Sequence, residues 1–244
     1  MENYLSTYVP DNLKTERITT ALLLAAGTGS RLAPLTDFSP KCLVKLNGIS
    51  MLERLVESLK SHGFMRLVIV VGHHEQVIRD FLGTRSGKME INYVVSPRYR
   101  TTNNIYSLWL ARFLINEPFL LLESDVVFQE HLLKNMLWPD RIAIARRKPW
   151  MNGTTVTIGS HQKVDAFLDG SVYNPAVSQY KTVNFYSLSV NSWNLIKSRL
   201  EQHISNNQLN GYYETVFSEL VDEGSLHFKP VSFGAKQYRL KMKA

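Results

Sequence analysis

The chain has 244 residues, 44% hydrophobic and 20% charged, enough to bury a sizeable core and too apolar for a disordered tail. Its single cysteine, Cys42, excludes an internal disulfide framework or a multi-cysteine metal site and fits a reducing cytoplasm. Lys and Arg number 28 against 21 Asp and Glu, a net charge of +7 that suits anionic ligands; no basic block concentrates it and no groove-reading motif is visible, so nucleic acid is not an expected partner.

Residues 1–19 form a polar leader that carries Glu2, Asp11 and Glu16 and has no apolar stretch followed by a small-residue cleavage site, so it does not read as secretory. Thr20 to Ala25 is an apolar run without alternation, as expected of a strand covered on both faces, and it stops at Gly27-Thr28-Gly29-Ser30. Met51 to His62 spaces Leu52, Leu55, Val56 and Leu59 as one helix face, ended by Gly63. Leu67 to Val71 is the next buried strand, and it is far shorter than the ~20 residues of a membrane span. A helix near Glu75 to Leu82, a strand near Ile91 to Val95, a helix over Asn103 to Leu114 and a strand over Phe119 to Glu123 continue the alternation. Beyond Asp125 the pattern loosens into strands at 141–146, 154–158 and 182–188, helices near 192–203 and 212–221, and a last strand near 226–231. The expected fold is α/β: a doubly wound, mainly parallel mixed sheet, Rossmann-like, with small antiparallel additions in the second half. No internal repeat or low-complexity linker divides it, so 20–244 reads as one domain of a cytoplasmic protein with no membrane contact.

The most informative segment is the loop after the first strand, Leu24-Ala25-Ala26-Gly27-Thr28-Gly29-Ser30-Arg31-Leu32-Ala33-Pro34-Leu35-Thr36, followed by Pro40-Lys41. Its glycines let the backbone turn sharply and bring amide groups close to a ligand, while Arg31 and Lys41 supply cations at its two ends. Such a loop suits a polyphosphate at the carboxyl end of a central strand. It is not a dinucleotide fingerprint, because position 32 is Leu where a third glycine is needed, and it lacks the Gly-Lys-Ser/Thr of a P-loop.

This stretch resembles the signature of the nucleotidyltransferases that join an NTP to a phosphorylated small molecule, Gly-x-Gly-x-Arg-Leu-x-Pro-Leu-Thr before Pro-Lys. Asn103-Asn104-Ile105-Tyr106-Ser107-Leu108 and Tyr212-Tyr213-Glu214 resemble segments of the phosphocholine and phosphonate cytidylyltransferase branch. The resemblance implies CTP and a small phosphate or phosphonate acceptor as substrates, with Mg2+ as cofactor. It implies a nucleotide-binding half to about residue 125, an acceptor-binding half after it, and leaves open a homodimer or fusion to another catalytic domain.

On that reading Lys41 contacts the α-phosphate and the incoming oxygen, and Arg31 with the amides of Gly27 to Ser30 holds the β and γ phosphates. Leu24, Ala25, Ala26, Gly72, Asn103, Asn104 and Ser107 complete the nucleotide pocket, although Asn103 and Asn104 also suit a helix N-cap. Alternation puts Glu123 and Asp125 on one side of their strand, with Asp125 outermost and the first metal ligand; a cap of the next helix is the plainer alternative. Glu214, one position off its helix's apolar stripe, is the second metal candidate through the resemblance. His73-His74-Glu75 is not a zinc motif and reads as surface histidines. Relatives commonly carry Glu-Ile-Asp near the C-terminus, where this chain has Gln237-Tyr238-Arg239-Leu240-Lys241.

For the acceptor, Trp150, Tyr186 and Tyr213 are the candidates, with Tyr173, Tyr180 and Tyr212 as further aromatics for a cationic head group. Arg146-Arg147-Lys148 beside Trp150 favours an acceptor with more negative charge. Two rival expectations stand: a sugar-1-phosphate nucleotidyltransferase using UTP or dTTP, and a non-catalytic nucleotide-binding domain.

Overall fold

A computed structural model describes residues 17–170, 177–234 and 238–240. In chain order the elements are β1 (Thr20–Ala25), β2 (Lys45–Leu46), β3 (Ile49–Ser50), α1 (Met51–Ser61), β4 (Arg66–Val71), α2 (Glu75–Leu82), β5 (Arg85–Ser86) and β6 (Met89–Val95). Then come α3 (Asn104–Leu110), β7 (Phe119–Glu123), β8 (Val126–Phe128), β9 (Arg141–Arg146), β10 (Thr155–Ile158), β11 (Val164–Leu168) and β12 (Tyr180–Leu188). The chain continues with α4 (Val190–Ser205), α5 (Tyr213–Asp222), β13 (Lys229–Ser232) and β14 (Tyr238–Leu240).

Among the described residues the main sheet runs β11-β10-β12-β7-β1-β4-β6-β5, with β9 pairing β12 and β13. The centre is parallel: β1 lies between β4 and β7, with Thr20 opposite Arg66 on one side and Phe119 on the other. β12 runs antiparallel to β7 and opens the mixed half. Every residue of β1 is buried, which is why its sequence does not alternate. One face packs Leu52, Leu55, Val56 and Leu59 of α1 and Ile78 of α2 against Leu23, Ile69 and Leu122. The other packs Ile105 and Leu108 of α3, Trp193 and Ile196 of α4 and Phe217 of α5 against Leu22, Val68 and Leu121. Helices on both faces of a mainly parallel sheet make the doubly wound architecture expected from the alternation. Among the described residues no helix is long and apolar enough to cross a membrane.

Local chemistry sets the element ends. Ser50 caps α1 by accepting a hydrogen bond from Glu53 N at 3.1 Å, and Gly63, at φ +74°, ends it in the left-handed conformation. Several boundaries differ from expectation. The helix over 103–114 is α-helical only to Leu110 and tightens into a 3-10 turn at Ala111–Phe113. β11 and the short β2–β3 hairpin were not expected, because five residues or fewer carry little periodic signal. The strand near 226–231 starts at Lys229; Leu226 and Phe228 are buried, but as packing residues before the strand begins.

Two outcomes test this packing. Leu23→Ala, at a fully buried position in β1, lowers the unfolding free energy in urea by about 2–5 kcal/mol, whereas exposed Leu195→Ala stays within about 0.5 kcal/mol. Burial pushes the Cys42 thiol up to about 12, so at pH 8 it carries almost no thiolate. Iodoacetamide therefore labels Cys42 slowly in the native protein and rapidly in denaturant, as read by mass spectrometry.

Candidate active site

The chain winds from β1 to β4 and β6 on one side, then crosses to β7 on the other side of β1. That reversal opens a crevice beyond the carboxyl ends of β1 and β7, where open α/β sheets bind ligands. The glycine loop leaves β1 there, and Asp125 follows the end of β7.

Leu24, Ala25 and Ala26 are buried and anchor the loop in the core. Gly29 sits at φ +69°, and its carbonyl accepts from the buried Thr36 hydroxyl at 3.0 Å, folding the loop back on itself. A Cβ added at Gly27 would meet nothing within 4 Å, so the fold does not demand glycine there. The amides of Gly27, Thr28, Gly29 and Ser30 donate to no group among the described residues. Successive amides without protein acceptors are the ingredients of an anion-binding nest. Arg31 is exposed on the short 3-10 turn Ser30–Leu32.

Lys41 starts the 3-10 turn Lys41–Leu43 after Pro40, and its Nζ donates to Asp125 Oδ2 at 2.6 Å. The pair is mostly buried, with side-chain exposures of 17% and 9%. Asp125 Oδ1 is buried without a hydrogen-bond partner. A carboxylate oxygen left open beside a loop of open amides fits Mg2+, which takes one or two carboxylates and fills its other positions with phosphate oxygens and water. Among the described residues no group of three or more His, Cys, Asp or Glu is placed to hold a metal by itself.

The two acids have separate partner sets: Glu123 is the last residue of β7, and Asp125 lies two residues beyond it. Glu123 Oε1 accepts from Asn104 Nδ2 at 3.0 Å and Tyr213 Oη at 3.2 Å, and Oε2 from Asn184 Nδ2 at 2.8 Å. Asn104 Oδ1 accepts from Tyr213 N at 3.0 Å, so one amide joins α3, β7 and α5. Asn103 is the N-cap of α3 and accepts from Asn104 N at 2.8 Å; Ser107 is buried one turn on.

Glu214, expected at the edge of its apolar stripe, is buried beside Tyr186 and Tyr213. Burial first, then the negative charge of Glu214, pushes both phenols well above their ordinary value, so they remain protonated. Tyr186 and Tyr213 are fully buried and pack edge to face, with ring centroids 5.8 Å apart. Trp150 is instead 70% exposed with Lys148 Nζ 5.1 Å from its ring centre, so the three acceptor candidates do not share one surface. Tyr173 lies outside the described residues, as do 237 and 241–244 of the basic C-terminal stretch.

Two contributions escape sequence reasoning, the amide of Asn184 and the reach of His74. Asn184 sits at φ +60° where the β12–β9 register shifts between Thr182 and Tyr186, and that irregularity accompanies the turn of its amide onto Glu123. Gly72 allows a tight approach: a Cβ there would lie 2.8 Å from Ala26 O and 2.9 Å from Tyr99 Cβ. The next residues reach the glycine loop, His74 Nε2 donating to Asp37 O at 3.0 Å, so these histidines are more than plain surface residues. A depression of about 610 Å³ on α4 and α5 offers no rival site, since Arg199, Glu219, Glu223 and His203 there pair with one another.

Comparisons with known proteins agree with this geometry. The CMP-5'-(3-aminopropyl)phosphonate synthase of Streptomyces rubellomurinus is 34% identical over 176 residues, which cover 69% of this chain and 28% of that protein. The choline-phosphate cytidylyltransferase of Streptococcus pneumoniae is 29% identical over 144 residues, 59% of this chain and 61% of that one. The chain thus spans less than two thirds of these relatives' lengths. The solved structure of CTP:phosphocholine cytidylyltransferase from Streptococcus pneumoniae superposes with a TM-score of 0.79 at 22% identity, covering 93% of this chain and 94% of that one, and shows the same fold. Residues 20–158 match the family described as nucleotidyl transferase, and the chain belongs to that family.

Proposed function

We propose that the protein transfers CMP from CTP to a small phosphonate or phosphate-ester acceptor and releases pyrophosphate. The observation that carries this reading is the 2.6 Å contact between Lys41 and Asp125 beside a glycine loop with open amides. It is supported by family membership and by similarity to relatives named for CMP-phosphonate synthesis and choline-phosphate cytidylyl transfer.

An acceptor phosphonate or phosphate oxygen is largely ionised at neutral pH, so it needs no general base. It attacks the α-phosphorus, the bond to the bridging oxygen of the β-phosphate breaks, and pyrophosphate leaves with that electron pair. Repulsion between two anions is the obstacle, and fixed positive groups in a water-poor site reduce it most. Lys41 faces the α-phosphate and the incoming oxygen; the amides of Gly27 to Ser30 and Arg31 take the outer phosphates. Asp125 would hold Mg2+, with Glu214 as the further acid, and the ion would supply neutralising charge to the triphosphate. Asn103, Asn104, Ser107 and Gly72 border the nucleoside; for Asn104 that role is indirect, since both ends of its amide are already engaged.

On the acceptor side, Trp150 and Lys148 offer an exposed aromatic face and a cation, with Arg146 exposed nearby. Tyr186 and Tyr213 lie in the core, away from this surface. The positive charge suits a doubly ionised phosphonate.

A panel of NTPs scored by pyrophosphate release, each with phosphocholine, 2-aminoethylphosphonate and sugar 1-phosphates, tests the reading. Turnover with CTP and an aminophosphonate or phosphocholine supports it; turnover only with UTP or dTTP and a sugar 1-phosphate replaces it. CTP binding without product on every acceptor leaves a nucleotide-binding domain. Lys41→Ala lowers kcat/KM on the order of 10²–10³-fold with an unchanged circular-dichroism spectrum. Gly27→Ala keeps the wild-type Tm and raises KM for CTP about tenfold, equivalent to ~1.4 kcal/mol.

A further inference from the structure

His74 occupies the N-cap position of α2 in the left-handed conformation, φ 51° and ψ 37°, yet its side chain makes no capping bond. A non-glycine residue there carries a backbone cost that glycine would avoid. What the histidine adds is its ring: Nε2–H donates to the carbonyl of Asp37, 37 residues earlier, at 3.0 Å. The His73 ring interacts with the backbone of Thr36, the adjoining residue of the same limb, and the two imidazole centroids lie 3.9 Å apart. The base of this pair is rigid, with His73 N donating to Ala26 O at 3.0 Å and Gly72 wedged between Ala26 and Tyr99.

The limb that the histidines grip runs from Pro34 to Lys41 and is otherwise lightly held. Asp37 N donates to Pro34 O at 3.2 Å and Thr36 Oγ1 to Gly29 O at 3.0 Å, while Leu35 and Phe38 are 61% and 90% exposed. This limb delivers Lys41 to its place facing Asp125. We infer that His74, seconded by His73, is a positioning residue: it latches the outer limb of the phosphate loop to the β4–α2 turn, fixing the cradle and Lys41 before nucleotide arrives. The inference rests on the reading that this loop holds a triphosphate. Its logic is preorganisation, since a limb already in place loses less freedom when the nucleotide binds.

Two variants separate the latch from the backbone that carries it. His74→Gly relieves the left-handed residue and removes the donor; His74→Gln keeps the backbone cost and restores an N–H donor at similar reach. Hydrogen exchange of the amides of residues 35–38, measured without nucleotide, is faster in His74→Gly, with Tm equal to or above wild type. KM for CTP rises about tenfold with a smaller change in kcat, and His74→Gln recovers most of both effects. Wild-type exchange in His74→Gly, or no recovery in His74→Gln, overturns the latch. If exchange responds as stated while wild type turns over no NTP at all, the latch stands and the catalytic reading falls. If wild type turns over CTP and His74→Gly matches it in exchange and KM, the latch alone falls.

Discussion

The ion pair between Lys41 and Asp125 is the contact on which the rest of the site depends. Two side chains 84 residues apart meet at 2.6 Å because their loops leave the carboxyl ends of neighbouring parallel strands. A mostly buried pair is not chiefly a source of stability, because desolvating both charges offsets much of their attraction. Its value lies in position. The ammonium is held at the mouth of the crevice by an acid that keeps one oxygen open, which on the proposed reading leaves it free to meet a polyanion. Lysine suits this place better than a bidentate arginine, since a compact ammonium on a flexible stem can turn from the carboxylate to a phosphate oxygen.

A second acid, the half-buried Glu123, explains how the two halves of the domain stay in register. Glu123 is held by Asn104 of α3, Asn184 of β12 and Tyr213 of α5, and Asn104 also accepts from the first amide of α5. Each partner comes from a different element, so the carboxylate works as a bracket between the parallel half and the antiparallel extension. Partly satisfied networks of this kind are costly, while satisfied ones specify a single arrangement. Glu123 therefore serves architecture and Asp125 serves the crevice, although only Ser124 separates them.

The sequence is most legible where one physical signal dominates. β1, β4 and β7 are buried on both faces, so their apolar runs announce parallel strands, and α1 carries its cap, its stripe and its terminal glycine in eleven residues and their neighbours. The glycine loop and its two cations are local, and so is their resemblance to a known signature. The Glu123 bracket is not local: its bonds join residues 19, 61 and 90 positions apart, and no periodicity encodes them. The same holds for the grip of His74 on Asp37, because two adjacent histidines after a strand look like any polar turn until the fold brings the loop alongside. The second half is harder to read for a related reason. Its antiparallel strands are short or interrupted, as in β11 and in β12 at Asn184, and hydrophobic residues such as Phe228 fill the core without lying in a strand.

Local irregularities then become informative about where the chain accepts strain. Asn47 and Asn207 adopt positive φ in turns, where short polar side chains tolerate it, and Asp140 adopts it while its Oδ1 accepts from Ser189 N at 3.0 Å. His74 and Asn184 also have positive φ, but their side chains reach across the structure, to Asp37 and to Glu123. Turn geometry alone does not require an imidazole at the first or an amide at the second; the long-range bonds do. Together with the unpartnered oxygen of Asp125 and the open amides of residues 27–30, these departures serve the crevice at the β1–β7 switch and its supporting walls. On the proposed reading, holding two anions against their repulsion calls for such rigid, preformed polar groups.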